Sequence, residues 1–240
     1  MPRLWLTRTR PQRSTAWEAE LQAAGWDVQR LEVLATTPRQ FSAQDEDWLA
    51  QQAAEAKAWL WTSAAAVAAV AQRLAPFANR AEQHAVGRST ATAVEQALHQ
   101  PCAAPQRGHG GNAWVAEYGG RLRPGDQLLL ITGYDPRQEW LEPLRALGVM
   151  VVIASVYQRK PIACDLPAEL PDAVIATSAA ALESLSHSLL KASHTQVFRR
   201  PLLLSAPRLK TAARRLGWSG TMAVLPALTA DGLQAALKDL

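Results

Sequence analysis

The run Thr-Ser-Ala-Ala-Ala occurs twice, at residues 62–66 in AWLWTSAAAVAAVAQRL and at residues 177–181 in DAVIATSAAALESLSHSL. Each copy follows an apolar run and opens an alanine-rich amphipathic stretch. Alanine is common enough to make such a repeat cheap, so the test is whether other landmarks recur in the same order at the same shift. They do. LTRTRPQRSTAWEAELQAAGWDVQRLEV, from Leu6, reads like LITGYDPRQEWLEPLRALGVMVVIASVY, from Leu130. Both have an apolar run with a threonine at its end (Thr7, Thr132), a polar turn with proline, an amphipathic stretch, a glycine (Gly25, Gly148) and a second apolar run. A looser pair joins HAVGRSTATAVEQAL around Gly87 to LLLSAPRLKTAARRLG around Ala206. Four landmarks in one order, displaced by about half the chain, predict a unit built twice.

Within each half, strand and helix alternate. Leu4-Trp5-Leu6 predicts a strand. Pro11 then suits a first helical turn, with Trp17, Leu21 and Ala24 at helical spacing and Gly25 as the stop. Val28 to Val33 and Ala58 to Trp61 predict strands, with a helix from Gln44 to Ala54 between them. Ser63 caps a helix over 64–74, and Ser89 is expected to cap one running to His99. Gln106 to Asn112 (QRGHGGN) predicts a flexible loop before a helix around Trp114 to Tyr118. A strand in LLLIT, a helix from Pro136 to Leu147 and a long strand from Val149 to Tyr157 follow. From Asp172 the pattern restarts as strand, Thr177-Ser178 and helix, then Leu202 to Leu204, a turn and a helix, and a last strand and helix after Gly220. This alternation predicts an α/β fold of two similar domains, each a parallel sheet flanked by helices. With 240 residues, 48% of them hydrophobic, the chain can bury the cores this requires.

The chemistry signal is where hydroxyls fall. Open α/β sheets bind ligands beyond the carboxyl ends of their strands, where helix N-termini present unpaired amides. Thr7, Thr62, Ser63, Ser89, Thr90, Thr132, Thr177, Ser178 and Ser205 all fall at predicted strand-to-helix turns, and Arg8 and Arg208 stand beside two of them. Each serine or threonine alone is an ordinary helix cap; the set points to an anionic small molecule. Net charge of +4 agrees with an anionic partner. The arginines are scattered, unlike a nucleic-acid arm. The five histidines show no HxH or HExxH spacing, Cys102 and Cys164 stand alone, and neither G-x-S-x-G nor a P-loop is present. RGHGG around His109 is only a weak phosphate-loop lookalike. The start MPRLWLTRTR lacks a signal-peptide apolar region, and residues 64–71 are too short to span a bilayer. A cytoplasmic protein without membrane, metal or cofactor is the expectation.

The ordered set LTR (Leu6 to Arg8), LQAAGWDV, WTSAAAV, AVGRSTATAV, ALGVMVVIASVYQRKP and ATSAAAL resembles the uroporphyrinogen-III synthase family, from the first strand to the last helix. VYQRKP, with Tyr157, is its most specific piece. The chain departs from the common form near the end, where a Gly-Pro-Thr-Thr type turn is replaced by Ser205-Ala206-Pro207-Arg208, leaving Ser205 and Arg208 as the candidates there. The resemblance implies a discontinuous first domain, residues 1–34 with 166–240, and a second over 37–157. Residues 35–36 and 158–165 would link them, with the active site in the interdomain cleft. It implies a monomer that needs no cofactor and acts on a linear tetrapyrrole polycarboxylate. The reaction would close hydroxymethylbilane to uroporphyrinogen III with loss of water and inversion of the last pyrrole ring. Tyr157 would assist departure of the hydroxyl, and the hydroxyl-bearing turns would hold the substrate. The alternative is a non-catalytic two-domain protein that closes on a small anion.

Overall fold

The computed structural model describes residues 1–10, 16–134, 136, 139–225 and 230–238. In chain order the strands and helices are β1 (Arg3–Arg10), α1 (Ala16–Ala23), β2 (Asp27–Pro38), α2 (Ala43–Glu55), β3 (Ala58–Trp61), α3 (Ala64–Leu74), β4 (Glu82–Ala85), α4 (Arg88–Leu98) and α5 (Gly111–Tyr118). They continue as β5 (Gln127–Gly133), α6 (Glu142–Ala146), β6 (Met150–Pro161), β7 (Ala173–Ala176), α7 (Ala179–Lys191), β8 (Leu202–Leu204), α8 (Leu209–Arg215), β9 (Met222–Val224) and α9 (Ala230–Lys238). The chain forms two compact units, residues 1–36 with 159–240, and residues 37–158. It leaves the first unit within β2 and returns to it within β6. No helix among the described residues is long and apolar enough to cross a membrane.

In the second unit the strands run parallel in the order β4-β3-β5-β6. Alternate side chains of a strand face opposite sides, so a sheet covered on both faces needs apolar residues at every position. AWLW and LLLI meet that need. Trp59, Trp61, Leu129 and Ile131 pack with α2, α3 and α4 on one face. Ala58, Leu60, Leu128 and Leu130 pack with Trp114 and Tyr118 of α5 and Leu144 of α6 on the other.

The first unit repeats the plan, with parallel order β2-β1-β7-β8-β9. Trp5, Leu31, Val174, Leu202 and Leu204 pack against α7 and α8. Leu4, Leu6, Ile175 and Leu203 pack against Leu21 of α1 and Leu233 of α9. Superposing the two Thr-Ser-Ala-Ala-Ala turns equates β7 with β3. Reading outward, β8-β7-β1-β2 then matches β4-β3-β5-β6. The unit is built twice, with the chain entering the second copy at a different strand.

Local geometry repeats as well. Gly25 and Gly148, with φ of +89° and +78°, end α1 and α6 in the left-handed region where a β-carbon is disfavoured. Each donates to the residue three before it, and the following residue donates to the residue five before it: Gly25 to Gln22 and Trp26 to Leu21, Gly148 to Arg145 and Val149 to Leu144. Ser63 and Ser178 cap α3 and α7 alike, their Oγ atoms accepting the N–H of Ala66 and Ala181 at 3.2 Å.

Several expectations are corrected. Gly87, not Ser89, is the N-cap of α4, and Ser89 is the exposed second residue of the helix. The helix expected over 136–147 is a 3₁₀ turn, Glu139–Leu141, followed by the short α6, because Pro143 and the Gly148 stop leave room for little more. Gly111 and Asn112 belong to α5 rather than to a loop. Thr7 and Thr132 lie inside β1 and β5, which pair with their neighbours beyond both positions, and not at turns. The helix start at Pro11 lies outside the described residues, as do the side chains of Arg8 and Trp17.

Candidate active site

In each unit the strand order reverses beside the strand that carries the Thr-Ser turn, between β3 and β5 and between β7 and β1. Such switch points open a crevice at the carboxyl ends of parallel strands. At the one in the second unit, Thr62 Oγ1 lies 2.9 Å from Thr132 Oγ1 and 3.3 Å from the carbonyl oxygen of Ile131. Thr132 is buried. The pair thus spans the ends of β3 and β5.

One strand further, Tyr157 of β6 is only 7% exposed, and its hydroxyl lies 3.1 Å from Ser63 Oγ. Regular alternation would place Tyr157 opposite Ala154 and Val156. Instead all three belong to one core cluster, on the α3 face. The cause is a bulge: Thr132 pairs with Ser155 but Gly133 pairs with Tyr157, so Val156 is an extra residue. Its carbonyl accepts the N–H of Arg39 at 2.9 Å, which satisfies the group the bulge removes from the ladder. Tyr134 N–H donates to Tyr157 O at 2.8 Å, continuing the ladder past the irregularity.

Gly133 is not among the candidates read from sequence. Its φ is not in the left-handed region, so the backbone itself does not demand glycine. A β-carbon there would stand 2.8 Å from Tyr157 Cζ and 3.1 Å from its hydroxyl oxygen. The available signal is an isolated glycine at the end of an apolar strand, which marks a bulge or a close approach.

Of the other candidates in this unit, Thr90 is buried on α4 and Ser89 is exposed beside it. Neither Gly87 nor Gly110, the N-caps of α4 and α5, supplies a side-chain cap. Gly110 N–H donates to Val86 O at 2.7 Å, and a β-carbon on Gly87 would lie 3.8 Å from that of His109. The RGHGG loop therefore brings the start of α5 beside the start of α4, where first-turn amides lack intrahelical partners.

At the switch point of the first unit, Thr7 is fully buried and Thr7 Oγ1 donates to Ile175 O at 3.1 Å, which ties β1 to β7. Ser205 Oγ donates to Thr177 O at 3.0 Å, so the turns after β7 and β8 are joined. Thr177 and Ser178 are half-buried. Arg208 is the exposed residue that opens α8, with no side-chain cap bond. A cavity of about 850 Å³ in this unit lies elsewhere, lined by Cys164, Asp165, Glu183, His187 and Lys191 among others. It contains none of the candidate residues, and the strand-end hydroxyls carry the stronger chemical pattern. Cys102 is buried, and burial pushes its thiol up to about 12, so it is inert packing.

The family model described as uroporphyrinogen-III synthase HemD matches residues 15–232. The chain belongs to the uroporphyrinogen-III synthase family. Its fold is similar to that of uroporphyrinogen-III synthetase from Helicobacter pylori, at 15% identity over 100% of both chains with a TM-score of 0.63. It is also similar to a mutant uroporphyrinogen III synthase from Thermus thermophilus, at 19% identity over 100% of both chains with a TM-score of 0.58. A comparison with curated protein sequences gives no match. Membership in the synthase family carries the activity of a cyclising lyase of tetrapyrrole biosynthesis and a small-molecule substrate.

Proposed function

We infer that this chain closes hydroxymethylbilane to uroporphyrinogen III and that Tyr157 is its proton donor. The observation that carries the assignment to Tyr157 is its hydrogen bond to Ser63 at the carboxyl edge of the sheet, beside the Thr62–Thr132 pair. In the proposed reaction, the Tyr157 hydroxyl gives a proton to the terminal hydroxyl of the substrate as its C–O bond breaks. Water leaves and a cationic azafulvene remains. A pyrrole carbon at the substituted end of the last ring attacks it to give a spiro intermediate, whose rearrangement inverts that ring before the macrocycle closes. The ring carbon that then loses hydrogen returns a proton, so closure costs only one water.

The harder task is positional, because the unassisted chain closes without inversion. Orientation and preorganised donors suit such a task better than a strong acid–base pair. Each pyrrole carries an acetate and a propionate. We propose that Thr62, Ser89, Thr90 and Thr132 in the second unit, and Thr7, Arg8, Thr177, Ser178, Ser205 and Arg208 in the first, serve the binding of these groups, while Ser63, expected from the sequence to join them, meets Tyr157 instead. The half-buried hydroxyls of Thr62, Thr177, Ser178 and Ser205 and the helix-start amides support this reading.

The test is a coupled assay in which the upstream deaminase generates hydroxymethylbilane in the presence of this protein. The products are oxidised and the uroporphyrin isomers separated. Predominantly isomer III is expected. Isomer I alone from folded protein overturns the enzyme, and saturable binding without turnover would then favour an anion-binding protein.

A further inference from the structure

The Tyr157 phenol is held by three independent features of the second unit. The bulge at Val156 turns the residue onto the α3 face. Gly133 leaves the space that the ring occupies, with no other reason in its backbone to be glycine. Ser63 Oγ accepts the N–H of Ala66 and gives its own proton to the phenol oxygen. Accepting an amide proton polarises the Ser63 hydroxyl and strengthens the bond that it donates. It also couples the phenol to the first turn of α3, whose partial positive charge favours the negative charge that develops as the phenol releases its proton.

We propose that Gly133 and Ser63 are positioning residues for this reaction, acting through Tyr157 rather than on the substrate. The proposal rests on the synthase reading of the site. A phenol oxygen that accepts a bond from Ser63 must direct its own O–H elsewhere, and Gly133 fixes the plane from which it does so. Displacing the ring by even a few tenths of an ångström moves the donor from the leaving hydroxyl, and proton transfer falls off steeply with such misplacement.

The experiment compares Gly133→Ala, Ser63→Gly and Ser63→Thr with the wild type, alone and in a Tyr157→Phe background, with kcat, KM and the isomer ratio as readouts. Glycine is nearly as good an N-cap as serine, so Ser63→Gly removes the phenol contact while costing α3 little. Ser63→Thr keeps the hydroxyl. Gly133→Ala and Ser63→Gly should each lower kcat by about tenfold, a partial loss of the roughly 10²–10⁴-fold that a positioned acid contributes, with KM changed less than about threefold. The fraction of isomer I should rise in both, and Ser63→Thr should restore much of the rate. In the Tyr157→Phe background both losses should shrink to about twofold or less, because their common target is gone.

A second readout needs no turnover. With ring-¹³C tyrosine, Gly133→Ala and Ser63→Gly should shift the Tyr157 signal and leave that of Tyr118 in place. Isomer I from the wild type would overturn the functional reading and the proposal with it. If the wild type makes isomer III, either full activity of both variants or losses undiminished in the Tyr157→Phe background would overturn the positioning role alone. Should Gly133→Ala fail to fold, Ser63→Gly and its threonine rescue decide the matter.

Discussion

The bulge of β6 has a counterpart in β2. Arg8 pairs with Glu32 and Thr9 with Leu34, leaving Val33 as the extra residue, and Val33 and Leu34 share one core cluster as Val156 and Tyr157 do. The Val33 carbonyl accepts Ile162 N–H at 3.1 Å and Ser184 Oγ at 2.6 Å, as the Val156 carbonyl accepts Arg39 N–H. Leu34 therefore stands in the first unit where Tyr157 stands in the second, and Thr9 stands where Gly133 does. One copy of the device buries a leucine and the other a tyrosine that meets a helix-capping serine. The bulge itself is thus scaffold. On the proposed reading the chemistry belongs to one copy alone, through the residue that its bulge turns inward and the glycine that makes room for it.

Two substitutions should break this comparison into stability and chemistry. Leu34 is 1% exposed, so Leu34→Ala removes buried methyl groups and leaves a cavity, a change that costs about 2–5 kcal/mol. Urea denaturation should show that loss, while kcat of the protein that remains folded stays within about twofold of wild type. Tyr157→Phe should do the reverse. It keeps the ring and forfeits the hydrogen bond with Ser63, worth about 1 kcal/mol, yet turnover should fall more than about tenfold. Wild-type kcat in Tyr157→Phe would leave the two bulges equivalent and remove the tyrosine from the mechanism.

The next substitutions sharpen the contrast at the caps. Ser63 and Ser178 accept the same amide at the same distance, so Ser63→Ala and Ser178→Ala should each cost about 1 kcal/mol of stability. Their kinetics should separate. Only Ser63 meets a phenol, and its loss should appear in kcat. Loss of Ser178, proposed to bind substrate, should appear in KM. Equal effects of both variants on kcat would remove the distinction between the copies.

Much of this is legible in the sequence because it depends on local pattern. The strands AWLW and LLL, the Ser63 and Ser178 caps and the Gly25 and Gly148 stops are each set by neighbouring residues. What escapes depends on partners distant in the chain. The landmark alignment equates Thr7 with Thr132, whereas the paired bulges equate Thr132 with Arg8. The difference is one residue, and a one-residue slip is invisible to apolar runs without alternation. Ser89 has a capping side chain in a capping context, but α4 opens two residues earlier, at Gly87, which has no side chain to signal a cap. Gly133 shows its purpose only once Tyr157, on another strand, lies across it. Tyr157 itself is marked by the family resemblance, and no local pattern distinguishes it from a core aromatic.

The smallest expected effect concerns β4 and β8. His84 pairs in register with Leu60, and Leu203 pairs with Ile175, the residue equivalent to Leu60, so a histidine in one unit replaces a leucine in the other. His84 is buried against Trp114 and Tyr118. Burial lowers its pKa below the ordinary 6.5, with the Glu82 carboxylate at 3.3 Å opposing the shift only in part. The unfolded chain therefore binds a proton at this position more readily than the folded one. Stability contributed by neutral His84 is present above pH 6.5 and is lost as pH falls from there towards the folded value. Replacing His84 with leucine copies the first unit and removes that dependence. Urea midpoints at about pH 7.5 and about pH 5.5, on either side of the ordinary histidine value, should therefore differ less in His84→Leu than in the wild type. An identical acid loss in both would mean that the pH sensitivity of the chain arises elsewhere, and that the histidine and the leucine are interchangeable packing.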